Sequence, residues 1–303
     1  MSRFAPLFVI IAAALWGVDG IVLRPALYSL PVPLVVLIES SIVALILSPI
    51  FLKQHTKLKL LSKKDWFAFL GVALFGGAIG TMAITKALFY VNFVNLSIVI
   101  LIQKLQPVFA LTLAALILRE RLPKIFFLWS ALAITGAYFM TFGFSLPNMG
   151  TGDKTLIAAG FSLIAAISFS SSTVFSKRAL RNVGFEMGTY LRFLFSAVIM
   201  LIIASLIGDI KSIVNVSSNQ WLVFLLIAFT TGGAAIFLYY YGLKKITASV
   251  ATICELAFPL TAVVLEYFLH GNILNPVQWL GAALLIFSII KVSGINLLGL
   301  NGK

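Results

Sequence analysis

Charge is scarce in this chain. Of 303 residues only 10% are Asp, Glu, Lys or Arg, while 61% are hydrophobic. That balance excludes a water-soluble domain, whose outside must be largely polar. Long apolar stretches recur along the whole length, and mean hydropathy is +1.10, so lipid is the solvent. Cysteine is reduced to one residue, Cys254. This excludes an internal disulfide framework and a cysteine-based zinc cluster; within its apolar stretch Cys254 reads as a packing residue. Histidine is reduced to His55 and His270, both in or beside loops. A chain without a His/Asp cluster, a Ser–His pair or a Cys–His pair has little material for an intramembrane enzyme. It also lacks a P-loop, so any drive for work must come from a gradient. No cofactor or metal is expected.

What charge there is carries a strong bias. The formal net charge is +13, yet the basic residues sit in short loops between apolar runs. They act there as topology signals and do not form a nucleic-acid surface. A helix crossing a bilayer needs about 20 mainly apolar residues. Ten runs qualify: Phe4–Leu23, Pro33–Leu52, Trp66–Phe89, Asn95–Leu118, Ile125–Phe144, Thr155–Phe175, Phe185–Ile207, Trp221–Leu243, Thr247–Leu269 and Pro276–Ile295. The first reads as a membrane span and not as a cleavable leader. With the N-terminus inside, inner segments hold fifteen basic residues: Arg3, Lys53, Lys57, Lys59, Lys63, Lys64, Arg119, Arg121, Lys124, Lys177, Arg178, Arg181, Lys244, Lys245 and Lys303. The outer loops hold three, Arg24, Lys154 and Lys211. Both termini are therefore expected in the cytoplasm.

The chain also repeats itself, with an offset near 153. Leu23-Arg24-Pro25-Ala26-Leu27 answers Ser176-Lys177-Arg178-Ala179-Leu180. Trp66, Phe69, Leu70, Ala73 and Gly77 answer Trp221, Phe224, Leu225, Ala228 and Gly232. Ser97, Pro107, Ala110 and Leu113 answer Ser249, Pro259, Ala262 and Leu265. Each half holds five spans, and an odd number sends the second half into the membrane from the opposite side. The fold expected is all-α and integral to the membrane, ten helices as two inverted repeats, residues 1–150 and 151–303. Inverted repeats suit a carrier that alternates between two related states.

At this point the chain resembles the EamA-type carriers of the drug/metabolite transporter superfamily. The resemblance rests on Ala14-Leu15-Trp16-Gly17, on Gln106-Pro107-Val108-Phe109-Ala110 followed by Leu118-Arg119-Glu120-Arg121-Leu122, and on Tyr241-Gly242-Leu243-Lys244-Lys245-Ile246-Thr247-Ala248-Ser249 running on to Glu255-Leu256-Ala257-Phe258-Pro259. The second half has no Glu-Arg partner to Glu120-Arg121; it reads His270-Gly271-Asn272-Ile273. Glu39 stands where members often carry Arg, and Arg192 holds the equivalent place in the second half. The resemblance implies a secondary transporter in the inner membrane, an exporter of amino acids or related metabolites. The alternatives are a multidrug or cationic-compound exporter and a passive uniporter.

Pro107 and Pro259 fall inside their spans and mark hinges. A proline removes one backbone donor, so the carbonyls of Gln103 and Glu255 are expected to lose their partners. Paired Pro-interrupted helices point to a midplane binding site. Charges at membrane depth cost about 2.5–3.5 kcal/mol on insertion scales and so face a cavity or a partner. Lys104 and Glu255 are the deepest. Glu255 either pairs with Lys104, locking helices, or receives a substrate amine, with Lys104 receiving a carboxylate. Glu39 and Arg192 are further candidates; Asp19 and Lys86 are expected to snorkel to the interface, and Glu266 to be structural. Trp16 and Phe258 are the aromatics expected to line the cavity, with Tyr90, Tyr239, Tyr240 and Tyr241 as interfacial anchors. The partners expected are a small-molecule substrate, membrane lipid and a proton carried by Glu255 or Glu39, with no obligate protein partner.

Overall fold

The computed structural model describes residues 4–90, 102–103, 105–146, 153–270 and 274–294. All regular elements among them are helical. Eight helices are long and apolar enough to cross a membrane: α1 (Ala5–Leu27), α2 (Val32–Gln54), α3 (Lys63–Ala87), α5 (Lys124–Phe142), α6 (Leu156–Ala179), α7 (Phe185–Ile207), α8 (Ser218–Lys245) and α10 (Pro276–Ser293). Two shorter apolar helices complete the set, α4 (Gln106–Leu118) and the start of α9 (Ala248–Thr261). The predicted beginning of the fourth span, Asn95, and Ser97 lie outside the described residues.

Local chemistry repeats with the sequence. Ser62 opens α3 with a capping box closed by Asp65, and Ser217 opens α8 with one closed by Gln220. In each, the side chains satisfy two backbone N–H groups that the first helical turn leaves without partners. Further along the same two helices, the winding loosens at matching positions. In α3 residues Val72–Ile79 form a π-helix. In α8 the Gly232 N–H reaches back five residues to the Ile227 carbonyl at 2.7 Å. Such widened turns in apolar surroundings need neighbours to cover the backbone, and here they lie inside the bundle. Gly76 faces Ser172 of α6, and Gly80 faces Phe169. Gly76 and Gly80, spaced four apart, put small residues on one face and so allow close approach.

The packing has a two-fold pattern. α2 packs on α7 and α5 on α10, each helix against its own equivalent. α1 packs on α8 and α9, and correspondingly α6 packs on α3 and α4. The paired helices run antiparallel: Phe51 near the end of α2 meets Tyr190 near the start of α7 at 5.3 Å, whereas Val36 and Leu37 near the start of α2 cluster with Met200 and Ala204 near the end of α7. Equivalent helices that run in opposite directions make the repeats inverted.

The α5–α10 contact brings backbone against backbone. A Cβ on Gly281 would stand 2.4 Å from the Met140 nitrogen, and one on Gly136 would stand 2.7 Å from the Leu285 nitrogen. Backbone cannot yield as a side-chain tip does. Gly281→Val is therefore expected to cost about 1–3 kcal/mol or more and to lower the thermal unfolding midpoint in detergent. An unchanged midpoint would show that this crossing is not as close as described.

Candidate functional site

The α9 helix is discontinuous just before its proline, and the described part of α4 begins just before its own. α9 stops at Cys254 and resumes as Ala257–His270. α4 begins at Gln106 with Pro107 in its first turn. The prolines therefore open new helical segments, where a missing N–H costs nothing, and do not kink a continuous one. This corrects the expectation of a freed Glu255 carbonyl: the Phe258 N–H reaches it at 3.0 Å. What the break presents is the Glu255 side chain.

Four helices converge on that carboxylate. Tyr239 of α8 donates its hydroxyl to Oε1 at 2.6 Å, and Thr173 of α6 donates to the same oxygen at 3.2 Å. Gln106 of α4 donates its amide to Oε2 at 3.1 Å. The Tyr239 and Thr173 hydroxyls are themselves 3.2 Å apart. Three neutral donors thus hold one anion at membrane depth, where charge-assisted hydrogen bonds offset part of its desolvation. Trp16 of α1 stands over the Tyr239 ring, centroids 5.3 Å apart. The α6 face supplies further polar contacts. Ser170 donates to the Gln106 carbonyl at 2.8 Å, and Gln103 donates to the Ser162 carbonyl at 2.9 Å. Hydroxyls and amides bind helices together in this way where lipid gives no hydrophobic drive.

Beside this group lies a second charge. Arg192 of α7 donates from Nη1 to the Tyr240 hydroxyl at 3.4 Å, with its Cζ 5.7 Å from that ring's centroid. Tyr240 is fully buried and shares a 2.8 Å hydrogen bond with Ser176. Tyr239 and Tyr240 are thus interior residues, not interfacial anchors. Gln106, Thr173 and Tyr239 were not singled out from the sequence as site residues.

The other expected residues divide. Phe258 is 42% exposed and lies against α1, its ring 4.0 Å from where a Cβ on Gly20 would stand. Glu39 is away from Glu255, near the far end of the bundle. There Arg24 bridges Asp19 at 2.6 Å and Glu39 at 3.2 Å, and Thr231 donates to Asp19 at 3.0 Å. Asp19 is therefore a buried ion-pair member and does not snorkel. Cys254 is buried, as expected of a packing residue. Lys104 lies outside the described residues, as do the side chains of Glu266 and His270.

The end that gathers the basic loops is tied across the two halves. Arg119, at φ 56°, ends α4 in a left-handed turn. Glu120 then caps the first turn of α9: its carboxylate accepts from the Ala248 and Ser249 N–H groups at 2.7 and 3.1 Å, and from the Ser249 hydroxyl at 2.5 Å. An anion at a helix N-terminus meets unpaired donors and the positive end of the dipole. Within the second half Lys177 does the converse, donating to the terminal carbonyls of α8 at Leu243 and Lys244, 2.9 and 3.1 Å away. Asp65 accepts from Asn182 at 2.8 Å and pairs with Arg178 at 3.0 Å.

A model of the EamA-like transporter family matches residues 3–142 and again residues 156–294. The riboflavin transporter ImpX of Fusobacterium nucleatum is 48% identical over 291 residues, covering 96% of this chain and 97% of that protein. An uncharacterized transporter of Synechocystis is 27% identical, over 78% of this chain and 68% of its own length. Among solved structures, a crystal structure 16% identical in sequence aligns over 99% of this chain and 98% of its own with a TM-score of 0.73, a likeness of fold alone.

Proposed function

The chain belongs to the EamA-like transporter family, and from that membership we propose that it carries riboflavin, or a close flavin, by alternating access at the Glu255 site. That it is a small-molecule transporter of the membrane, and not an enzyme, follows from the family; the substrate is our reading. The single observation that carries it is 48% identity, end to end, with a riboflavin transporter. The site chemistry agrees. Riboflavin is uncharged at neutral pH, with a flat ring system and a polyhydroxylated chain. A site of aromatic faces and hydroxyl, amide and carboxylate groups is suited to both parts. The amino-acid reading has less support: it rests on Lys104 as the cation opposite Glu255, and Lys104 lies outside the described residues.

In this reading residues 1–150 and 151–303 are the two units that exchange conformations. The basic end faces the cytoplasm of the cell membrane. Its ties, Glu120 to α9 and Lys177 to α8, close the inner path, and Arg24 with Asp19 and Glu39 serves the outer one.

Counterflow tests this. Proteoliposomes preloaded with unlabelled riboflavin are expected to accumulate labelled riboflavin transiently and saturably, without competition from an amino-acid panel. Folded protein that shows amino-acid or cationic-drug counterflow and none with riboflavin would overturn the flavin reading. Flux without saturation would contradict a carrier.

A further inference from the structure

At the far end of the bundle Arg24 pairs with both Asp19 and Glu39, but Glu255 and Arg192 form no ion pair with any described residue. They nevertheless stand at one level. Arg192 is seven residues beyond Phe185, which starts α7, and Glu255 is seven beyond Ala248, which starts α9. Both helices start at the basic end, so each charge lies about 10 Å into its helix at 1.5 Å per residue. The two tyrosines stand between them. Tyr239 binds Glu255, Tyr240 takes the Arg192 donor, and the rings are 5.9 Å apart. Gly76 lies beside the guanidinium, a Cβ there standing 3.7 Å from Nη2, an ordinary contact. No salt bridge joins the two charges among the described residues; the adjacent tyrosines link them.

An anion facing a cation across a tyrosine pair selects for chemistry. A carboxylate accepts only, and a guanidinium donates only, through a planar fork. A ligand that presents an N–H donor beside a carbonyl acceptor on one rigid edge satisfies both, as would the ammonium and carboxylate of a zwitterion. A phosphate would be repelled by Glu255, and a simple amine would leave Arg192 unused. We infer that Glu255 and Arg192 form a two-pole clamp for a cyclic imide edge, Glu255 accepting the imide N–H and Arg192 donating to the adjacent carbonyl. The inference rests on the flavin reading, since the flavin ring carries such an edge at N3, and it assigns a role to each charge that membership of the family does not.

The test compares riboflavin with N3-methylriboflavin, which differs only in the blocked imide N–H. For the wild-type protein kcat/KM in counterflow is expected to fall about 10- to 100-fold on methylation, the scale of a lost hydrogen bond to a charged group. In Glu255→Gln the difference is expected to shrink to a few-fold. Lumichrome keeps the imide edge and lacks the polyhydroxyl chain. It is expected to compete in the wild type and to lose that competition in Arg192→Lys, where the planar fork is gone. Equal transport of riboflavin and N3-methylriboflavin by the wild type would overturn the clamp while leaving riboflavin transport standing, and that comparison needs no variant to fold. Discrimination undiminished in Glu255→Gln would overturn Glu255 as the acceptor. Absence of riboflavin counterflow in the wild type would overturn the flavin reading, and the clamp with it.

Discussion

Glu255→Ala is expected to lower riboflavin counterflow at least about 100-fold in kcat/KM, in protein that still purifies as a folded monodisperse species. Two losses combine. The substitution removes the acceptor that we assign to the substrate. It also strips the partner from Tyr239, Thr173 and Gln106, which donate to Glu255 at 2.6, 3.2 and 3.1 Å. Each donor left unsatisfied inside the bundle costs about 1–3 kcal/mol, and about 1.4 kcal/mol is tenfold in an equilibrium constant. The freed hydroxyls and amide are expected to turn to water or to one another and so lose the arrangement that receives the ligand. Tyr239→Phe, which keeps the ring against Trp16 and deletes the hydroxyl's bonds to Glu255 and Thr173, is expected to cost about tenfold. Native transport by folded Glu255→Ala would remove this carboxylate from the site.

The second large effect is expected from Glu120→Ala, and it differs in kind. Glu120 touches no part of the proposed site. It binds two backbone N–H groups and the Ser249 hydroxyl in the first turn of α9, on the opposite repeat. Charge-assisted bonds of this sort contribute about 1.5–3 kcal/mol each, and helix caps alone about 0.5–2 kcal/mol. Thr247, which also accepts from the Val250 N–H at 3.2 Å, preserves part of the cap, so the helix itself should survive. What is lost is the tie between repeats, and with it the bias toward the conformation closed at the basic end. A shift of about 1.5 kcal/mol already changes a two-state ratio more than tenfold. Counterflow is expected to fall about tenfold while riboflavin affinity changes little. Hydrogen–deuterium exchange should rise across residues 247–255. Unaltered exchange and unaltered transport would show that Glu120 holds nothing the transport cycle must release.

The architecture was readable because membrane helices leave a coarse imprint on sequence. Apolar runs of bilayer length, the Trp66 and Trp221 signatures and the basic loops required no three-dimensional information. Glu255 was readable for a related reason, since a carboxylate in an apolar run is costly wherever it points. Its surroundings were not. Gln106, Thr173 and Tyr239 are ordinary residues for such helices, and only the crossing of α4, α6, α8 and α9 brings them to one point. The Ser/Thr-rich stretch at 168–173 in α6 was the one available hint, because so many hydroxyls on a span mark close packing. Pro107 and Pro259 were read as hinges inside their spans; each stands in the first turn of a helical segment. A first-turn proline and a mid-helix proline look alike until the chain before them is seen to leave the helix. Glu39 and Arg192 occupy equivalent positions, but the repeat does not conserve their surroundings. Arg24 lies within reach of Glu39, and no carboxylate pairs with Arg192 among the described residues. Glu120 was visible as part of a motif, but its partner lies on the other repeat, 128 residues away.

The account's central claim is that one site, built around Glu255 between the two inverted repeats, binds the substrate, and that the ties at the basic end govern access to it. Flavin fluorescence, which is quenched when the ring stacks on Trp or Tyr, tests this directly on purified protein. Titration of riboflavin with wild-type protein should give saturable quenching at one site per chain. Glu255→Ala should abolish it, and Glu120→Ala should leave it at wild-type affinity. Saturable quenching retained in Glu255→Ala, or absent from the wild type, would contradict the account.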